Sequence, residues 1–272
     1  MKLRLFGLVL LAAPLMAAPP QVINGTIQSV ASLSQAEAMS GPTWIGYSLI
    51  TSRPLSVNCC DGWSGNCNRC KLEGDRGFSI THGDKDDLRP AGSDRVVLFA
   101  RVVDRQVNRM RLFSPDCTID ASGQTVAWVD NVAAPESVAF LSRIVDRGIQ
   151  RARTEALMAL SLQQGGTDTL IDIARHNSSH DIRSKALFWL AQEAGEKVAS
   201  TLRDAVDNDP EEDVRAKAVF AISQLPDDQS IPILIDLVKS HRSTAVRKKA
   251  IFWLGQKNDP RALAAIEDIL RQ

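Results

Sequence analysis

Five cysteines carry the most evident reactive chemistry in the chain: Cys59, Cys60, Cys67, Cys70 and Cys117, four of them crowded between Cys59 and Cys70. Three chemistries suit such a cluster. In an oxidising compartment, crowded cysteines form disulfides that staple a loop-rich region. Four thiolates also suit a tetrahedral zinc, and Cys67-Asn-Arg-Cys70 has the spacing that grips one ion, whereas adjacent Cys59 and Cys60 do not. A redox couple at Cys67 and Cys70 needs a helix N-terminus after a strand. Here the motif follows the Gly- and Asn-rich run Asp61-Gly-Trp-Ser-Gly-Asn66. Disulfides are therefore the expectation, with all five cysteines as candidates and one thiol left over. An adjacent Cys59–Cys60 bond would be strained, and the pairing stays open. Zinc or thiol-redox chemistry at Cys59–Cys70 is the alternative.

Elsewhere the catalytic patterns are incomplete. Gly62-Trp-Ser-Gly-Asn66 misses the final Gly of a nucleophile elbow. Asp84-Lys-Asp-Asp-Leu88 begins like a calcium loop without its turn Gly. His176 and His180 flank Asn-Ser-Ser and precede Asp181, but no helix sets both rings on one face, so solvated loop residues are expected. His82 is an equally thin zinc candidate. No phosphate-cradling loop precedes a helix. The expectation is a chain that is not an enzyme, with no catalytic residue, no resident metal and no cofactor.

Charge and leader narrow the setting. Lys+Arg and Asp+Glu both number 32, for a net charge of zero. Nucleic acid is excluded as a partner, because phosphate binding needs surplus positive charge. Lys2 and Arg4 precede an apolar run from Leu5 to Met16 and then Ala17-Ala-Pro-Pro20. That run is too short to span a bilayer, which takes about 20 residues, and the pattern is that of a secretory signal peptide over 1–18. The mature chain is expected to be exported, periplasmic or secreted, without stable membrane insertion. Its charge would be −2 once Lys2 and Arg4 are lost.

The second half repeats itself. Ile182-Arg-Ser-Lys-Ala-Leu-Phe-Trp-Leu190 returns as Val214-Arg-Ala-Lys-Ala-Val-Phe-Ala-Ile222 and as Val246-Arg-Lys-Lys-Ala-Ile-Phe-Trp-Leu254, with a fainter copy at Ala152-Arg-Thr-Glu-Ala-Leu-Met-Ala-Leu160. A fixed period of this length is the signature of stacked helix pairs. Pro135 opens a leading helix that ends near Gly148. In the third unit Asp213 is the expected N-cap and Pro226 the break. Ser230 is expected to cap the next helix, with Pro232 in its first turn. Phe188, Phe220 and Phe252, with Trp189 and Trp253, are expected in the core.

At these residues the sequence resembles HEAT repeats of the short variety first associated with phycobilin lyases. Asp181-Ile-Arg183 and Asp213-Val-Arg215 match the signature, and Ala245-Val-Arg247 lacks its Asp, with Thr244 as a substitute cap. The resemblance implies a right-handed superhelix used mainly to bind proteins, with the Arg tying adjacent units together. Arg183, Arg215 and Arg247, with Lys185, Lys217 and Lys249, are the candidate partner contacts. A chromophore-lyase reading rests on the repeat resemblance alone, and the expected export counts against it.

The first half reads as different material: a helix over 26–39, a strand over 44–50, a hairpin of 95–103 with 107–113 about Asp104-Arg-Gln106, and a short strand at 126–129. The fold class is α+β. A small Cys-rich α+β domain at 19–134 is followed by an all-α, HEAT-like solenoid of about four helix pairs at 135–272. The expected function is an exported, non-catalytic scaffold or adaptor that binds another protein. Its oligomeric state is open.

Overall fold

The computed structural model describes residues 19–41, 43–57, 70–73, 80–81, 93–193 and 195–271. The leader at 1–18, Cys59, Cys60, Cys67, His82 and the motifs at 62–66 and 84–88 lie outside the described residues.

The first half builds β1 (Val22–Ile23), β2 (Thr26–Val30), helix α1 (Leu33–Glu37), β3 (Thr43–Val57), β4 (Cys70–Lys71) and β5 (Ile80–Thr81). It continues with β6 (Ser93–Val103), β7 (Gln106–Phe113), β8 (Ile119–Asp120) and β9 (Thr125–Val129). The main sheet runs β2-β9-β3-β6-β7, with β5 on the far end of β3. β3, β6 and β7 are antiparallel neighbours, while β2 and β9 lie parallel beside β3. The expected hairpin is present: Asp104 and Arg105 have φ of +50° and +60°, the left-handed pair whose twist suits a two-residue turn.

The helix expected over 26–39 is corrected. Thr26-Ile-Gln-Ser-Val30 is a strand paired in parallel with β9, whose residues lie about a hundred positions away. Only Leu33–Glu37 is helical, started by Ser32, whose Oγ accepts the Gln35 N–H at 3.2 Å. The strand pairing is non-local, so the propensity of the segment lost to a partner that a local reading does not see.

The sheet is buried on both faces, which is why β6 reads as a near-continuous apolar run. Val96, Leu98, Ala100 and Val102 point into one core, Val97 and Phe99 into the other. The second core is covered by the small parallel sheet β1-β8-β4. β4 pairs Cys70 with Ile119, so Cys70 and Cys117 are both buried there, beside Trp44, Phe99 and Trp128. Gly46 makes room for that packing: a Cβ on it would lie 2.9 Å from Phe99 and 3.0 Å from Trp128. Glu73 fastens the same segment, accepting Trp44 Nε1–H at 3.2 Å and pairing with Arg101 at 2.8 Å.

The second half is helical: α2 (Ala134–Arg147), α3 (Gln150–Leu162), α4 (Gly166–His176), α5 (His180–Ala191) and α6 (Glu196–Asn208). Then come α7 (Glu212–Gln224), α8 (Asp227–Ser240), α9 (Thr244–Leu254) and α10 (Pro260–Leu270). Four antiparallel pairs from α2 to α9 precede α10, an α+β chain ending in a helical solenoid. Helices α3, α5, α7 and α9 lie side by side as one layer.

Three cap positions differ from expectation. Ser179 and Ser243 cap α5 and α9, their Oγ atoms accepting the N–H of Ile182 and Val246. Thr244 instead accepts a bond from Arg247 at 2.9 Å. Asp213 sits in the first turn of α7 rather than at its cap, where its charge still opposes the positive end of the helix dipole. Helix α8 begins at Asp227, so Ser230 is buried and Pro232 lies inside the helix.

One core joins the two halves. Tyr47, Leu49, Leu98 and Met110 of the sheet pack with Phe140, Leu141, Ile144 and Leu157 of α2 and α3. At the seam, Ser137 Oγ lies 2.8 Å from Tyr47 Oη and donates to Gln163 Oε1 at 2.7 Å, while Gln163 Nε2 donates to the Ala134 carbonyl at 2.8 Å. Burial pushes the Tyr47 phenol far above its ordinary pKa, so it stays protonated. Edge strand β7 is also held: Met110 N–H donates to Glu155 of α3 at 2.6 Å. Replacing Ser137 with Ala strips Tyr47 and Gln163 of a shared buried partner, which costs about 1–3 kcal/mol. A Ser137→Ala chain should therefore unfold several degrees lower in calorimetry, and an unchanged midpoint would remove the network from the account of the seam.

Candidate functional site

The repeated Arg has one structural task in every copy. Arg183 donates to the Asn177 and Ser178 carbonyls at 2.9 and 3.5 Å, Arg215 to those of Asp209 and Pro210 at 2.7 and 3.0 Å, and Arg247 to those of His241 and Arg242 at 2.7 and 3.2 Å. Arg153, in the fainter copy, reaches the Val145 carbonyl at 2.6 Å. In each case a guanidinium satisfies carbonyls that the end of the preceding helix leaves without partners. Arg183 adds a two-pronged pair with Asp209, at 2.8 and 2.9 Å, and is only 7% exposed. Burial raises the Asp209 carboxyl, but Arg183 and the Glu211 N–H outweigh it and hold the group below its usual range.

Charges also pair across units: Arg175 with Asp204 at 3.8 Å, Lys239 with Asp268 at 3.2 Å, Lys257 with Asp227 at 2.8 Å, and Lys197 with Asp168. This is where much of the balanced charge goes. Of the lysine column, Lys185 donates to Asp181 at 2.7 Å and to Thr154 at 3.2 Å, and Lys217 pairs loosely with Asp213 at 3.7 Å. Lys249 departs from both, because Ala245 stands where the repeat has Asp. The two histidines are separately engaged, His176 with Asp172 at 2.9 Å and His180 with Asp213 at 3.3 Å. Among the described residues no group of three His, Cys, Asp or Glu is placed to hold a metal.

Trp189 and Trp253 are partly buried and pack against the core, but the three phenylalanines are corrected. Phe188 and Phe252 are 39% and 55% exposed, and Phe220 is half-buried. In α9 the buried stripe is Val246, Ala250 and Leu254. Phe252 lies two residues from Ala250, roughly 200° around the helix. A shared register shows that the three rings occupy equivalent positions, but not that those positions face inward. They form a ladder: Phe188 stacks on Phe220 at 6.4 Å with planes 10° apart, and Phe220 meets Trp253 at 4.9 Å. Trp253 links Phe220 to Phe252, 4.9 Å from the latter, and Trp189 stands at the other end, 5.2 Å from Phe188.

At the far end of the ladder a groove of about 370 Å³ opens between α7 and α9. Ala216, Ala245 and Phe252 form its apolar lining, with Glu212 on one wall and Lys248 and Lys249 on the other. The visible signal in the sequence was the break in the repeat: Ala245 replaces Asp, and Lys248 replaces the small Ser184 and Ala216 of the earlier copies.

The two-pronged pair gives a pH signature. Because the folded pKa of Asp209 is depressed, its contribution is complete above the unfolded value, about 3.9, and is lost as pH falls through the folded one. Asp209→Asn should cost ~3–5 kcal/mol at neutral pH, since it leaves Arg183 buried without its counter-charge. In denaturant titrations the gap to the wild type should hold from pH 7 to 5 and narrow only below about 4. A gap already closing at pH 6 would refute the assignment.

Comparison with known proteins bears on this half. A family described as HEAT repeats matches residues 167–240 and again 199–272. Among solved structures, the chain is similar to the phycocyanin lyase complex of CpcE and CpcF from Nostoc sp. PCC7120, at 18% identity, covering 50% of this chain and 89% of that one, with a TM-score of 0.38. No curated protein matches at the sequence level. The expectation that the chain is not an enzyme is withdrawn, because the matched structure is described as a lyase; a likeness this distant carries no activity across to this chain. Residues 167–272 are a run of HEAT repeats, and they carry both the ladder and the groove.

Proposed function

We propose that this chain is an exported scaffold that binds another protein through the exposed face of α5, α7 and α9. The observation that carries the reading is the ladder of Phe188, Phe220, Trp253 and Phe252, which crosses three repeats and remains open to solvent at Phe188 and Phe252. Aromatic rings are rigid, large and costly to leave in water, and they dominate the energy of protein interfaces. A solenoid offers them on a continuous surface. The lysines at 185, 217 and 249 flank the same helices and would add charge recognition at the rim.

Export is supported by the leader-like run at 1–18 and by the cysteine usage. Four of the five cysteines crowd between Cys59 and Cys70, a usage that suits disulfides in an oxidising compartment. Alkylation of the denatured, unreduced protein should label one of five cysteines. Labelling of all five, or stoichiometric zinc on metal analysis, would move the reading to the thiol or metal alternative.

The binding reading is tested by capture from the native envelope or secreted fraction, comparing wild type with a Phe188→Ser, Phe252→Ser chain. Both positions are exposed, so the thermal midpoint should stay close to the wild-type value. Recovery of the specific partner should fall at least tenfold. Undiminished recovery by a folded double variant would sink the proposal.

A further inference from the structure

We infer that the groove between α7 and α9 is a peptide site for a partner segment that sets a large apolar side chain among acidic residues. The inference rests on the binding reading above and gives it a partner chemistry. Residues 135–272 contain seven lysines. Five of them, Lys185, Lys197, Lys217, Lys239 and Lys257, lie against a carboxylate. Lys248 and Lys249 do not, among the described residues, and both stand on one wall of the groove.

The cause is a local departure from the repeat. In the two preceding copies the residue four before the column lysine is an Asp that pairs with it, Asp181 with Lys185 and Asp213 with Lys217. Ala245 at that place in α9 removes the counter-charge from Lys249, and its small side chain lines the groove. The position occupied by Ser184 and Ala216 in the earlier copies becomes Lys248. Two changes in one unit therefore create positive charge and apolar depth at the same point. Phe252, 55% exposed, supplies the contact for an incoming ring or branched chain. Glu212 on the facing wall repels acidic groups and directs them to the α9 side. A peptide suits the site because the groove opens to solvent and shares Phe252 with the aromatic ladder, so an extended segment can reach both.

Random 12-residue peptides displayed on phage and selected on the full mature chain give the test. The expected winners carry Phe, Trp, Leu or Ile beside two or more Asp or Glu, and bind more weakly as salt rises. Their affinity should fall tenfold or more in Lys248→Gln, Lys249→Gln and in Phe252→Ser. Ala245→Asp should weaken them comparably without loss of thermal stability, since an acidic residue in the first turn suits the helix dipole. Failure to enrich peptides that depend on these residues would overturn the assignment, as would winners that are neutral or basic. So would self-association of the free protein that Phe252→Ser abolishes, which would make a second copy the occupant. If the native partner is lost in Phe188→Ser, Phe252→Ser but retained in Lys248→Gln, Lys249→Gln, the scaffold reading stands and the acidic-peptide site does not.

Discussion

A helix pair in a solenoid buries its apolar faces only against neighbours, so the first pair needs something on its open side. In this chain the main sheet meets that constraint. One face of β3, β6 and β7 packs on α2 and α3, and the core runs without interruption from Tyr47 and Met110 into Leu157 and beyond. The polar groups stranded at the seam are satisfied by one another through Tyr47, Ser137 and Gln163. Glu155 occupies a backbone N–H of β7, so the sheet's edge is partly closed by the repeats it covers. Sheet and solenoid are thus each other's solution to an exposed surface.

Along the repeats, cohesion has two components. The buried stripe supplies area, and the Arg of each unit satisfies carbonyls at the preceding helix end. Ion pairs spanning neighbouring units add smaller increments at the surface. This division explains why the arginines and lysines of the same motif have different fates. An Arg near the start of each helix is within reach of the preceding turn and is drawn inward, as Arg183 is. The Lys two residues later points along the outer side of the layer and depends on whatever carboxylate its own helix supplies.

The period was legible because the Arg, Lys, Ala and Phe positions recur in step, and equivalent positions in a solenoid have equivalent surroundings. What a period does not reveal is which surroundings those are. Phe188 and Phe252 look like core by composition, and only their angles from the Ile182–Ala186–Leu190 and Val246–Ala250–Leu254 stripes of their own helices place them outside. The caps were misplaced by one residue at Thr244, two at Asp213 and four at Ser230, because several residues before each helix could serve and α7 and α8 start at Glu211 and Pro226 without any side-chain cap bond. The segment 26–39 was misjudged for a different reason. Its strand exists through β9, almost a hundred residues on, and no local pattern announces such a partner. The second core followed the same rule: Cys70 and Cys117 are distant in sequence and share one core because β4 pairs with β8.

Where every unit obeys the repeat, its charges are consumed by neighbours and the surface is left neutral. Function on such a scaffold is therefore most readily written as an exception. The unit centred on α9 is that exception. Its helix carries Arg247, Lys248 and Lys249 with no acidic residue in its first turn, whereas α7 opens with Glu212 and Asp213. The cost to stability is small, because the lost Lys–Asp pair is a surface pair and Ser243 still caps the helix. The gain is a site whose charge is free for a partner rather than spent on the fold. In a repeat protein, the residues that break the internal pattern without disturbing the buried stripe are the ones to read for specificity.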